Sequence, residues 1–76
     1  MITVKLYGLL RIESGIKEKQ VEAESVKDVL EILAKCGISR NDLAGCLIMV
    51  NGSSAKKRTK LTDGDTVVLM SPVAGG

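Results

Sequence analysis

The chain has 76 residues, enough for one domain with a single modest core. It is 45% hydrophobic but only 1% aromatic, with Tyr7 the one aromatic side chain, so the core must be built from Val, Ile, Leu, Met and Ala. Eleven basic against nine acidic residues leave a formal net charge of +2. That is too little to steer nucleic acid, and the chain also lacks the stacking platform of a single-strand binder.

The first element, Ile2 to Tyr7, alternates Ile2, Val4 and Leu6 on one side with Thr3, Lys5 and Tyr7 on the other, the pattern of a half-buried strand. The stretch Leu9 to Gly15 reads as a connector with at most one helical turn. From Ile16 to Glu24 the chain is extended and weakly apolar, as expected of an edge strand pairing back on the first. Ser25 is then an N-cap, with Asp28 three residues on as the weaker form of a capping box. Val26, Val29, Leu30 and Leu33 follow at helical spacing, Glu31 and Lys35 pair on the wet side, and Gly37 suits a left-handed cap.

Ile38 to Gly45 reads as a loop with at most a short turn of helix. Cys46 to Val50 is a continuous apolar run closed by Asn51-Gly52, so a buried strand entering a tight turn. The basic run Lys56-Lys57-Arg58 belongs to an exposed return segment. Asp63 and Asp65 flank Gly64 in a turn, where carboxylates satisfy backbone donors. Thr66 to Met70 is a second apolar run and the candidate central strand. The order strand, strand, helix, strand, short strand, strand makes an α+β domain in two layers. It fits a β-grasp with a mixed sheet of four to five strands and one main helix on one face. Residues 1–70 form that domain and residues 71–76, Ser-Pro-Val-Ala-Gly-Gly, an extended flexible tail.

Most catalytic chemistry is excluded. There is no histidine to form a Ser-His or Cys-His pair. No glycine-rich phosphate motif is present. Cys36 and Cys46 lack the close spacing of a metal site and read as reduced, buried thiols. The longest apolar run is far too short to cross a bilayer, and because the first residues already read as a strand no signal peptide is expected. A cytoplasmic protein without metal, membrane or nucleic-acid partner, monomeric when free, is expected. What remains is the terminus: a carboxylate that becomes an electrophile once a partner activates it, for example as an acyl-adenylate. Gly75 and Gly76 allow close approach in a narrow, dry channel, and Pro72 stiffens the exit from the sheet. At roughly 3.3–3.6 Å per residue the tail reaches at most about 20 Å.

The motif Leu61-x-Asp-Gly-Asp-x-Val-x-Leu-x-x-Pro-Val-x-Gly-Gly, ending at Gly76, resembles the MoaD/ThiS family of ubiquitin-like sulfur carriers, as does the opening Met1 to Gly15 with Arg11. Pro72 sets the chain nearer to MoaD, the small-subunit type of molybdopterin synthase, than to ThiS. The resemblance implies a carrier without catalytic residues of its own and with no stably bound cofactor. Gly76 is adenylated by an E1-like adenylyltransferase (MoeB/ThiF type) using ATP and magnesium, and is then converted to a thiocarboxylate. Gly75, Ala74, Val73 and Pro72 form the arm that threads into the partner. A MoaE-type large subunit receives the sulfur for molybdopterin, the dithiolene that holds molybdenum or tungsten. Two departures stand out: Ser71 replaces the first of two prolines, and Tyr7 and Met70 stand where the docking face tends to be aromatic. Tyr7, Arg11 and Met70 are the candidate partner interface. Two alternatives stay open on the same activated carboxyl, a ubiquitin-like modifier attached to lysines and a ThiS-type carrier for thiamine thiazole. A plain β-grasp interaction domain is the third.

Overall fold

The computed structural model describes residues 1–71. Strand β1 (Ile2–Tyr7) buries Ile2, Val4 and Leu6 and turns Thr3, Lys5 and Tyr7 to the other face. It pairs antiparallel with β2 (Glu18–Val21), which forms one edge of the sheet. Between them lies α1 (Leu9–Ser14). The expected connector is thus a helix of six residues, longer than a single turn, bracketed by Gly8 and Gly15 at φ 68° and 74°. Leu10 is its one buried residue, so the apolar period that announces a helix is absent from its sequence.

The main helix α2 (Val26–Lys35) lies on the core face and buries Val26, Val29, Leu30 and Leu33. Its start is fully capped. Val26 N–H donates to the Thr59 carbonyl (3.0 Å) and Lys27 N–H to the Lys57 carbonyl (3.1 Å), while Asp28 N–H donates to Ser25 Oγ (3.4 Å). Asp28 Oδ2 in turn accepts from Glu24 N–H (3.1 Å), so the orphan donors of the first turn are met. At the other end Ile38 N–H reaches the Leu33 carbonyl (3.2 Å) and Gly37 N–H that of Ala34 (3.1 Å). That pair of bonds, with Gly37 at φ 102°, is a Schellman motif that folds Ile38 back onto the core. A short helix α3 (Arg40–Ala44) adds Leu43 to the core and leads to β3 (Leu47–Val50).

β3 turns through Asn51 and Gly52, both at positive φ (50° and 84°), into the two-residue strand β4 (Ser53–Ser54). With Val50 opposite Ser53, this is a two-residue hairpin of the mirror-turn kind that Asn-Gly favours. The last strand, β5 (Thr66–Met70), runs parallel to β1 and antiparallel to β3, giving the order β2-β1-β5-β3-β4. The first and last strands therefore lie side by side in the middle of a mixed sheet, and the α+β β-grasp reading holds.

The core contains Ile2, Val4, Leu6, Val67 and Leu69 from the sheet, closed by the buried face of α2. Among the described residues no polar or charged residue is buried, and full burial contributes about 1.5–3 kcal/mol for each large aliphatic side chain. Two expectations are corrected. β3 is not a buried strand: Leu47 is 59% exposed, because helices cover only one face of the sheet and β3 alternates across it. Cys36 is exposed, since it sits at the C-cap of α2, off the helix's apolar face.

Candidate functional site

β1 and β5 run parallel with Tyr7 opposite Met70, so both strands end at the same edge of the molecule. Gly8 and Ser71 continue from them and meet there. Gly8 has φ 68° and ψ −145°, a conformation that L-residues with a Cβ rarely adopt. A Cβ on Gly8 would stand 2.5 Å from Ser71 Oγ and 3.3 Å from the Ser71 carbonyl oxygen. Gly8 is also the N-cap of α1, and having no side chain it offers no side-chain cap. The cap comes from 62 residues away, where Ser71 Oγ accepts from Leu9 N–H at 2.6 Å.

Around this junction the surface is apolar. On the open sheet face Met70 lies beside Tyr7 and Leu47, and Val68 beside Met49. Tyr7 and Met70 are each 39% exposed, and Leu9 and Ile12 of α1 are 47% and 76% exposed. Tyr7 and Arg11 also line one shallow recess with Lys5, Lys17 and Glu18. The three interface candidates read from sequence, Tyr7, Arg11 and Met70, are thus brought together at the sheet end where residue 71 leaves β5. Sequence reasoning missed Gly8, Leu9, Ile12 and Leu47 at this junction, and noted Ser71 only as a departure from the usual tail. The signal for Gly8 and Ser71 was available, since each directly follows a strand of a parallel pair. Pro72, Val73, Ala74, Gly75 and Gly76 lie outside the described residues.

The remaining polar clusters are structural. Asp65 accepts from Thr62 N–H (2.8 Å) and from Asn51 Nδ2 (2.9 Å), and Asn51 Oδ1 accepts from Thr66 N–H (3.0 Å). The backbone donor of Thr62, then the Asn51 amide, hold the Asp65 carboxyl below the usual carboxylate range. Asp63 pairs with the N-terminal ammonium of Met1. The reading of a turn carboxylate that satisfies a backbone donor holds for Asp65 and not for Asp63, whose partner is the N-terminal ammonium, and the Asn51–Asp65 link ties the two turns together. Partial burial pushes the Cys46 thiol up, and its Sγ donates to the Leu43 carbonyl at 2.9 Å, both of which favour the thiol over the thiolate. Among the described residues no cluster of three or more side chains could hold a metal ion. None of their helices is long and apolar enough to cross a membrane.

A sequence profile of the ThiS family matches residues 4–76. The chain belongs to the ThiS family. The resemblance carried by Leu61 to Gly76 is thereby borne out. No curated protein sequence matches the chain, while solved structures do. Subunit 1 or 2 of the molybdopterin-converting factor from Helicobacter pylori, solved as a complex of the two, is 26% identical with TM-score 0.75, covering 99% of this chain and 97% of its own. The small archaeal modifier protein 1 from Methanosarcina acetivorans is 26% identical with TM-score 0.78, covering 99% and 95%. The protein of the same name from Haloferax volcanii, at 22% identity and TM-score 0.80 over 99% and 98%, shares the fold. This ThiS-family chain thus shares its ubiquitin-like β-grasp with a molybdopterin-converting factor and with small archaeal modifier proteins.

Proposed function

We propose that this chain is a MoaD-type sulfur carrier of molybdopterin synthesis, acting in the cytoplasm. The observation that carries the reading is a ThiS-family match running through the terminal residue, in a chain that ends Pro72-Val73-Ala74-Gly75-Gly76. The similarity to a molybdopterin-converting factor solved with its second subunit supports the MoaD side. In this reading Gly76 attacks the α-phosphorus of ATP, held with magnesium by an E1-like adenylyltransferase, and pyrophosphate leaves. A persulfide sulfur of the donor system then displaces AMP, and reductive cleavage of the sulfur–sulfur bond by a thiol leaves the thiocarboxylate. The arm from Pro72 to Gly75 threads the carboxyl into a water-excluding channel, where the acyl-adenylate is protected from hydrolysis. Tyr7, Arg11 and Met70 dock the body of the carrier, first on the adenylyltransferase and then on a MoaE-type large subunit. The carrier contributes a reacting group and a docking surface, and the partners contribute the catalytic residues.

Removing Gly75 and Gly76 is expected to abolish molybdopterin synthesis in a host strain that depends on this chain. Unchanged synthesis would sink the reading. The likeness to small archaeal modifier protein 1 favours a second one, in which a lysine amine displaces AMP to form an isopeptide bond. A ladder of heavier adducts in a blot of host lysate, lost on the same truncation, would support that reading instead.

A further inference from the structure

We infer that Ser71 is a positioning residue, whose hydroxyl clamps the base of the reactive arm to the start of α1. This inference rests on the carrier reading above and adds to it a specific atom that sets where the arm begins. Three observations converge. Ser71 Oγ accepts from Leu9 N–H at 2.6 Å across 62 residues of sequence. Gly8, the N-cap of α1, has no side chain with which to serve that helix itself. The same glycine lets Ser71 sit where any Cβ would collide with it, at 2.5 Å from Oγ.

The physical consequence concerns entropy. Residue 71 follows the last ladder partner, Met70, so the sheet alone no longer fixes it. A serine there, unlike proline, has a free φ. The bond to Leu9 removes that freedom before a partner arrives, so less ordering remains to be done when residues 72–76 enter a channel. The clamp also joins the arm to α1, whose Leu9 and Ile12 are exposed beside the docking patch. A partner that grips α1 thus holds the base of the arm as well.

The test uses the full chain with Ser71→Ala and Ser71→Thr. Amide hydrogen exchange reads the clamp directly: Ser71→Ala is expected to speed exchange at Leu9 while leaving Val4 and Leu33 unchanged, and Ser71→Thr, which keeps a hydroxyl, restores protection. ATP–pyrophosphate exchange with the host's E1-like adenylyltransferase reads its use. Because the docking side chains are untouched, kcat is expected to fall roughly 3- to 10-fold in Ser71→Ala, the factor matching the net worth of one hydrogen bond, with KM nearly constant. Ser71→Thr recovers most of the rate. An unchanged Leu9 exchange rate, or lost Leu9 protection with unchanged kcat, overturns the inference while wild type stays active. A wild type that supports no pyrophosphate exchange overturns the carrier reading itself.

Discussion

At the scale of single residues, small polar groups in this protein hold turns in place. Asp65 illustrates how. Its depressed pKa means that the folded state binds the proton less tightly than the unfolded chain. Its contribution to stability is therefore complete above the unfolded aspartate value of about 3.9 and is lost as pH falls through the lower folded value. Thermal unfolding of Asp65→Asn is expected to depend less on pH below about 4 than that of the wild type; parallel pH profiles would contradict the role given to this carboxylate. The turn role of Asp65 was legible because Asp-Gly-Asp is local chemistry. Its bond to Asn51 was not, because nothing local says that two turns 14 residues apart face each other.

At the scale of elements, the sequence announces what is periodic and conceals what is short. β1, α2 and the Asn51-Gly52 hairpin each repeat a burial pattern or carry a turn residue with its own geometry, and each lies where expected. α1 buries Leu10 alone and its first N–H, that of Leu9, donates to Ser71 Oγ, so part of its cause lies outside its own residues. Gly8→Ala tests that dependence. A Cβ at φ 68° is strained and displaces Ser71, so a loss of about 1–3 kcal/mol is expected in chemical denaturation. A loss near zero would mean that the junction relaxes freely. β3 misled for a related reason: Cys46 to Val50 is apolar throughout, yet only Cys46, Ile48 and Val50 pack against the core, and Leu47 and Met49 face away from it.

At the scale of the whole molecule, a two-layer fold with its helices on one side leaves the other sheet face uncovered. Here that face gathers Tyr7, Leu47, Met49, Val68 and Met70, beside the edge from which the chain runs on to Gly76. The presence of an exposed apolar patch, the one proposed for docking, was legible in Thr66 to Met70, which has apolar residues on both faces. Its extension to Leu47, Leu9 and Ile12 was not, since it depends on which strands and helices end together. Leu47→Glu and Met70→Glu are expected to weaken binding to the E1-like adenylyltransferase by about tenfold or more, as truncations at interface anchors do. Both side chains are substantially exposed, so the melting temperature should barely move. Full affinity in both variants would place docking elsewhere.

The central claim is that Gly76 carries sulfur. Intact-mass spectrometry of the chain purified from its own host tests it most directly, with fragmentation to place any change. The carrier account predicts a fraction heavier by the difference between one sulfur and one oxygen atom, located at the C-terminal glycine and lost on mild hydrolysis. A host that is making molybdopterin while every molecule of this chain ends in an ordinary carboxylate or an isopeptide bond would contradict it.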